Sequence, residues 1–359
     1  MSTDTLTPQG PGASEDIGRQ LRAASLPAGA AKLTAAVAAL AGVGVWLLTD
    51  SVFQGVLAAW VVVLLLPLWS LLVEGQRKAT DRLVTVLVGS AFGIAVIPLF
   101  SILFEVLTRG TKVMGVEFLT FSMRNVVGEG GGVYHAMIGT LLITGAATVI
   151  SVPIGLFAAI YLVEYADGNR LSRWLRFLVD VMTGIPSIVA GLFAYALFVL
   201  IFGEGVRMGI GGSVALSVLM IPIVVRSSEE MLKLVPNELR EASYALGVPK
   251  WRTIAKVVLP TALAGIVTGV TLSIARVIGE TAPLLIIAGF TDSVNFNLFD
   301  GRMQTLAVFA YSSQRNPGIP PEFGIERAWG AALVLLIIVM LLNIVARLVS
   351  YFFSPKGER

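Results

Sequence analysis

Long apolar runs, broken by short polar ones, set the pattern of the chain. A helical run of about 20 apolar residues crosses the hydrocarbon core of a bilayer, and by that measure the sequence predicts about eight spans. They cover residues 31–48, 52–73, 84–107, 138–163, 186–202, 213–225, 261–288 and 328–352. The polar intervals differ in kind. Thr49-Asp50-Ser51 is a tight turn, 74–82 a polar loop, and 108–136 a long connection containing Gly130-Gly131-Gly132. Arg170, Arg173 and Arg176 open a basic segment that runs into an amphipathic stretch ahead of the fifth span. Residues 289–327 form a second long loop. The glycine triplet reads as loop flexibility, because no Gly-x-x-x-x-Gly-Lys phosphate loop follows it.

The polar interval with the most internal order is 236–260, PNELREASYALGVPKWRTIAKVVLP. Asn237 is placed to cap a short helix, on which Leu239, Ala242 and Leu246 share one face. Gly247 supplies a stop that takes positive φ. Pro249 restarts a second helix at its first turn, Trp251, Ile254 and Val258 form its apolar stripe, and Pro260 ends it. Lys233, Arg240, Lys250, Arg252 and Lys256 make the interval basic. Two short amphipathic helices on a glycine elbow, set between two spans, predict a rigid surface element shaped to dock on something.

Composition narrows the class. The chain is 56% hydrophobic and 14% charged, where a soluble protein carries about a quarter charged residues. This predicts an all-α polytopic membrane protein. The net charge of +3 is scattered among loops and is no nucleic-acid footprint. There is no cysteine, which excludes disulfides and thiolate chemistry. One histidine, His135, leaves no histidine-based metal site or catalytic triad, and it reads as an interfacial polar residue. No catalytic residue and no metal ligand is expected. Residues 1–30 are polar and lack the basic start and apolar core of a signal peptide, so they predict a disordered cytoplasmic tail.

The Lys and Arg residues set the expected orientation. With the N-terminus inside, the inner segments hold Arg19, Arg22 and Lys32, then Arg77, Lys78 and Arg82, then Arg170, Arg173 and Arg176, then the six from Arg226 to Lys256, then Arg347, Lys356 and Arg359. The outer segments hold fewer: Arg109, Lys112, Arg124, Arg207, Arg302, Arg315 and Arg327. Both termini and the 236–260 interval are therefore expected in the cytoplasm.

Charge inside a span is costly, about 2.5–3.5 kcal/mol for an arginine near the middle. Arg276 and Glu280 stand in the seventh span, four residues apart and so on one helix face. They face protein or water. Arg276 offers a permanent charge and a fork of donors suited to an oxyanion. Pro283 withdraws the partner of the Gly279 carbonyl, and free carbonyls at this depth occur where backbone lines a cavity. The residues leave two readings open: a passing contact for an anion, or a structural ion pair that ties this helix to a neighbour. At the fifth span, Pro186 fits a first turn, and Ser187 with nearby N–H groups suits an anion at a helix start. A plain helix start with Gly191 giving close packing explains the same residues.

Three motifs together carry a resemblance. Glu241, Ala242, Ser243, Gly247, Val257, Leu259 and Pro260 match the signature of ABC importer permeases, with Ser243 and Val257 as small departures. Gly279-Glu280-Thr281-Ala282-Pro283-Leu284 and Pro186-Ser187-Ile188-Val189 resemble runs of phosphate importer permeases. The resemblance covers residues from about Ala136 onward, and not the first two spans. It implies the six-helix, type I-like core of such importers over residues 84–353, preceded by an extra hairpin at 31–83 and followed by a cytoplasmic tail at 354–359. It implies that Glu238, Leu239, Glu241, Ala242, Ser243, Leu246, Gly247, Leu259 and Pro260 couple to an ATPase. It implies that Arg276, Glu280, Thr281, Pro283, Pro186 and Ser187 line the pathway of phosphate. The expected partners are a second, similar permease, two ATPase subunits holding ATP and Mg, an external phosphate-binding protein and membrane lipid. No Walker motif is present, so hydrolysis falls to another chain. The residues alone say only that an anion fits. Sulfate, molybdate or tungstate, an ATP-independent anion transporter, and a membrane scaffold or sensor stay open at this stage.

Overall fold

The computed structural model describes residues 25–27, 29–166 and 168–353. Residues 1–24 and 354–359, where the terminal tails are expected, lie outside them. Packing divides the chain into two compact units between Ile102 and Leu103. All regular structure among the described residues is helical.

In the first unit, α1 (Ala30–Thr49) and α2 (Val52–Val73) form a hairpin. Ser51 caps α2 through its hydroxyl. The two helices meet at glycines: a Cβ on Gly55 would stand 2.6 Å from the Gly42 carbonyl oxygen. Small residues at a crossing let backbones approach inside a membrane, where water cannot drive helices together. The polar interval at 74–82 is not a loop. It is the first turns of α3 (Gln76–Gly110), whose charged start stays helical because Glu74 organises it. The Glu74 carboxylate accepts from the Ser70 hydroxyl at 2.7 Å and the Leu26 amide at 2.9 Å, and pairs with Arg82 at 2.7 Å and Lys78 at 3.7 Å.

The second unit follows as a 3-10 turn, α4 (Val116–Thr120), α5 (Tyr134–Ile160) with a π turn at Tyr161–Tyr165, α6 (Arg170–Thr183), α7 (Ser187–Phe202) and α8 (Gly209–Lys233). Then come α9 (Asn237–Ala245), α10 (Lys250–Thr253), a π turn at Ile254–Val258, α11 (Leu259–Val277), α12 (Ala282–Ile287), α13 (Leu306–Arg315) and α14 (Pro321–Phe353). Its core lies between α5, α8 and α11, on Ile143, Ala147, Leu216, Met220, Val224 and Val277. Hydroxyls tie α8 to α5: Ser213 donates to the Ile143 carbonyl at 3.0 Å and Ser217 to that of Ala147 at 3.4 Å. A second cluster, with Ala159, Leu232 and Val258, marks the end of the bundle beside the 236–260 interval. A third, with Phe118, Val133, Leu306 and Phe309, marks the other end.

Among the described residues, seven helices are long and apolar enough to cross a membrane, or eight if the bent pair α6–α7 counts as one. The fifth expected span is a 16-residue helix joined to α6 at a bend of 109°. The seventh ends early, at Val277, and does not reach Ala288 as a single helix. The long connections are partly helical, through α4 in one and α13 in the other. The glycine triplet is packed, not slack: a Cβ on Gly132 would stand 2.2 Å from the Phe118 carbonyl oxygen. His135 is buried at 2% exposure and meets Phe309 edge to face, so it is no interfacial residue.

Candidate functional site

The 236–260 interval folds as two helices on a glycine corner. The Val248 amide donates to the Ser243 carbonyl at 3.2 Å and the Gly247 amide to that of Tyr244 at 2.9 Å. That pair of bonds is a Schellman motif, whose pivot takes left-handed backbone, and Gly247 has φ of 73°. The Ser243 hydroxyl meets that of Thr253 at 2.8 Å, fastening α9 to α10. Ser243 is the buried residue of α9. Glu238, Glu241, Ala242, Leu239 and Leu246 are exposed, Leu246 at 83%. An apolar helix face thus stands open at this end of the bundle. Trp251 is exposed as well, while Ile254 and Val258 are buried.

Two expectations for the interval fail. Asn237 does not cap α9, because its side-chain oxygen is taken by Arg240 at 3.3 Å and Pro236 occupies the cap position. Pro260 does not end a helix, and residues Lys250–Val277 run on as one. A proline has no N–H for the carbonyl four residues back, and its ring crowds that carbonyl. The chain absorbs this by widening the preceding turn: the Leu259 amide reaches back to Ile254, a π bond. Leu259 and Pro260 therefore open α11.

The pathway residues meet elsewhere. Pro186, Ser187, Arg276 and Glu280 line one cavity of about 280 Å³, with Met182, Thr183, Leu219 and Pro222. Leu219 and Pro222 lie halfway along α8, so the cavity is at mid-depth in the bundle. Arg276 is in the last turn of α11. Glu280 lies beyond the helix end, where its amide makes a tight-turn bond to the Val277 carbonyl at 3.1 Å. The two are not on one helix face, and no ion pair joins them among the described residues. Thr281 precedes α12 and Pro283 sits in its first turn. A Cβ on Gly191 would stand 2.5 Å from Pro283 Cα, so this glycine brings α7 and α12 together behind the cavity wall. Proline and glycine break the span, and the break delivers Glu280 to the same space as Arg276. An unpaired guanidinium beside a hydroxyl and a carboxylate, in a cavity bounded by broken helices, can greet an anion without burying it.

Sequence reading missed Glu164. It lies in the π turn after α5 at 8% exposure and accepts from Arg240 Nη2 at 2.8 Å and Nε at 3.1 Å. Arg240 also donates to the carbonyls of Leu232 and Val235, at 3.0 and 2.6 Å. A single glutamate in YLVEY gives no periodic signal, and its partner is 76 residues away.

The description "Binding-protein-dependent transport system inner membrane component" matches residues 151–358. The chain is 46% identical to the phosphate transport system permease protein PstA 1 of Mycobacterium tuberculosis (strain CDC 1551 / Oshkosh), over 77% of this chain and 90% of that one. It is also 46% identical to PstA of Mycobacterium leprae (strain TN), over 75% and 88%. The fold is similar to a chain in the crystal structure of a bacterial alginate ABC transporter, with a TM-score of 0.54 at 12% identity over 76% of this chain and 96% of that chain. The broken spans, the glycine-cornered surface loop and a family match over more than half the sequence agree, and the chain belongs to the binding-protein-dependent transport system inner membrane components, the permease subunits of ABC importers.

Proposed function

We propose that this chain carries inorganic phosphate across the cell membrane as the permease subunit of an ATP-driven importer. The observation that carries the reading is the mid-depth cavity that Arg276 lines together with Ser187, Pro186 and Glu280. Arg276 provides a passing contact for the oxyanion through charge-assisted hydrogen bonds. Glu280, a like charge to phosphate, limits how tightly it holds. Thr281 and Pro283 shape the break that exposes them. The names of the relatives support phosphate over other oxyanions.

The chain hydrolyses nothing itself. ATP and Mg sit on two copies of a separate ATPase, which grip the exposed face of α9 and push on it as they close. A second, similar permease completes the pathway, and an external phosphate-binding protein delivers the substrate. The excess of Lys and Arg on the loop side supports placing the loop and both termini in the cytoplasm.

The test is uptake of radiolabelled phosphate by the full complex in proteoliposomes, with sulfate and molybdate as competitors. Phosphate uptake that requires ATP and resists both competitors is expected, and Arg276→Gln abolishes it while the complex still assembles. Equal competition by sulfate would replace phosphate with a broader oxyanion substrate. Loss of assembly in Arg276→Gln would make the arginine structural.

A further inference from the structure

We infer that the π turn Tyr161–Tyr165 is the joint through which movement of the surface loop reaches the mid-depth cavity, with Glu164, Arg240 and Arg176 as its positioning residues. The inference rests on the coupling role proposed for α9.

The turn is gripped from two sides. On the loop side, the Arg240 side chain is 13% exposed and that of Glu164 is 4% exposed. Two donors of Arg240, Nε and Nη2, converge on the one oxygen Oε1 of Glu164, a charge-assisted contact held away from water. The same guanidinium holds the Leu232 and Val235 carbonyls at the end of α8. Lys250, at the start of α10, lies over the Tyr165 ring at 5.1 Å. Both helices of the surface loop therefore reach this one turn.

On the other side, Arg176 of α6 donates to the Leu162 carbonyl at 3.3 Å and pairs with Glu229 of α8 at 3.3 Å. Lys233 shares Glu229 at 2.8 Å, and Asp180 pairs with Arg226. These groups surround a cleft of about 350 Å³ between α6 and α8. Charged groups around a cleft can exchange partners, whereas a close-packed core resists shear. The last residues of α6, Met182 and Thr183, and then Pro186 and Ser187, line the cavity that holds Arg276. A contiguous path thus runs from α9 to Glu164, two residues back along the π turn to the Leu162 carbonyl, onto Arg176, and along the α6 helix to the cavity wall. A π turn carries an extra residue and occurs mostly as a single turn, frequently at functional sites. Here it lets Glu164 and the Leu162 carbonyl serve different neighbours at once.

The test uses the complete complex in proteoliposomes. Glu164→Gln and Arg176→Gln are each expected to lower phosphate uptake per ATP hydrolysed about tenfold, with hydrolysis and subunit stoichiometry at wild-type level. Glu164→Asp, which keeps the charge, is expected to recover part of the loss. The double variant Glu164→Gln with Arg176→Gln falls no further than either single one, because each opens the same joint. Losses that multiply in the double variant would mean two independent contacts and overturn the joint. So would unchanged uptake, or uptake that falls only with the yield of assembled complex. If Glu164→Gln fails to assemble, Arg240→Lys and Glu164→Asp keep both charges and carry the same comparison. A wild-type complex without ATP-driven uptake would overturn the proposed function itself. Intact wild-type uptake, with uptake and hydrolysis falling by the same factor in the variants, would overturn the joint alone.

Discussion

Glu74 shows how much one side chain can organise. The Ser70 hydroxyl, foremost, and the Leu26 amide hold its carboxyl below the usual value near 4.5, with Arg82 and Lys78 adding their attraction and burial opposing them. A depressed carboxyl contributes stability above its ordinary pKa and loses it as pH falls through the lowered one. Glu74→Gln is therefore expected to lower the melting temperature of the first unit at neutral pH. That difference should shrink as pH is taken well below 4.5, as followed by thermal unfolding in detergent. A constant difference across pH would deny the ionic part. Residues differ in how far sequence exposes them. Arg276 and Glu280 stand out because charge is rare inside apolar runs, and their shared helix face fails because the helix ends at Val277, before Glu280, and a new one starts at Ala282. Glu164 and Arg240 give no such sign. Each looks like an ordinary interfacial charge, and only the fold brings them together. Removing one partner of such a buried pair typically costs about 3–5 kcal/mol, more than loss of an exposed pair.

At the scale of elements, local chemistry was readable and long-range compensation was not. The corner at Gly247 follows from its own backbone, because left-handed φ costs other residues about 1–2 kcal/mol. Gly247→Pro demands φ near −65° where 73° is needed and deletes the amide that closes the turn. The expected outcome is ATP-driven uptake reduced to background with the complex still assembled, measured by transport and stoichiometry. Unchanged uptake would mean the corner carries no push. The end of that helix was less legible. Asn237 has the chemistry of a cap, yet Arg240, drawn in by Glu164, takes its oxygen. Pro260 has the chemistry of a stop, yet the widened turn before it lets the helix continue. At Asn237 the distant Glu164 decides, through Arg240; at Pro260 the turn just before it does. Ser243 is the converse: it departs from the alanine of the family signature, and Thr253 supplies the hydrogen bond that makes a buried hydroxyl acceptable.

For the whole molecule, the apolar periodicity identified the membrane class and most of the spans, since long runs have few alternatives in lipid. It misjudged the fifth and seventh spans, where helices bend or break around the cavity. Deviations from regular spans collect where the pathway is proposed, as expected if function tolerates broken backbone only beside a cavity. The surface loop leaves Leu246 almost fully exposed. Leu246→Asp is expected to reduce co-purification of the ATPase from gently solubilised membranes by about tenfold or more. Retention of the ATPase at wild-type level would move the docking surface away from this helix.

The unbroken helix from Lys250 to Val277 is 28 residues long, about 42 Å from end to end. It starts at the surface corner and finishes one residue past Arg276. Tilting a rod of that length by about five degrees about its Lys250 end swings the Arg276 end by about 4 Å, more than the length of a hydrogen bond. A small rotation at the surface corner would thus become a larger displacement at the cavity. Arg276 could be carried into or out of reach of an ion with no rearrangement of the helix that bears it.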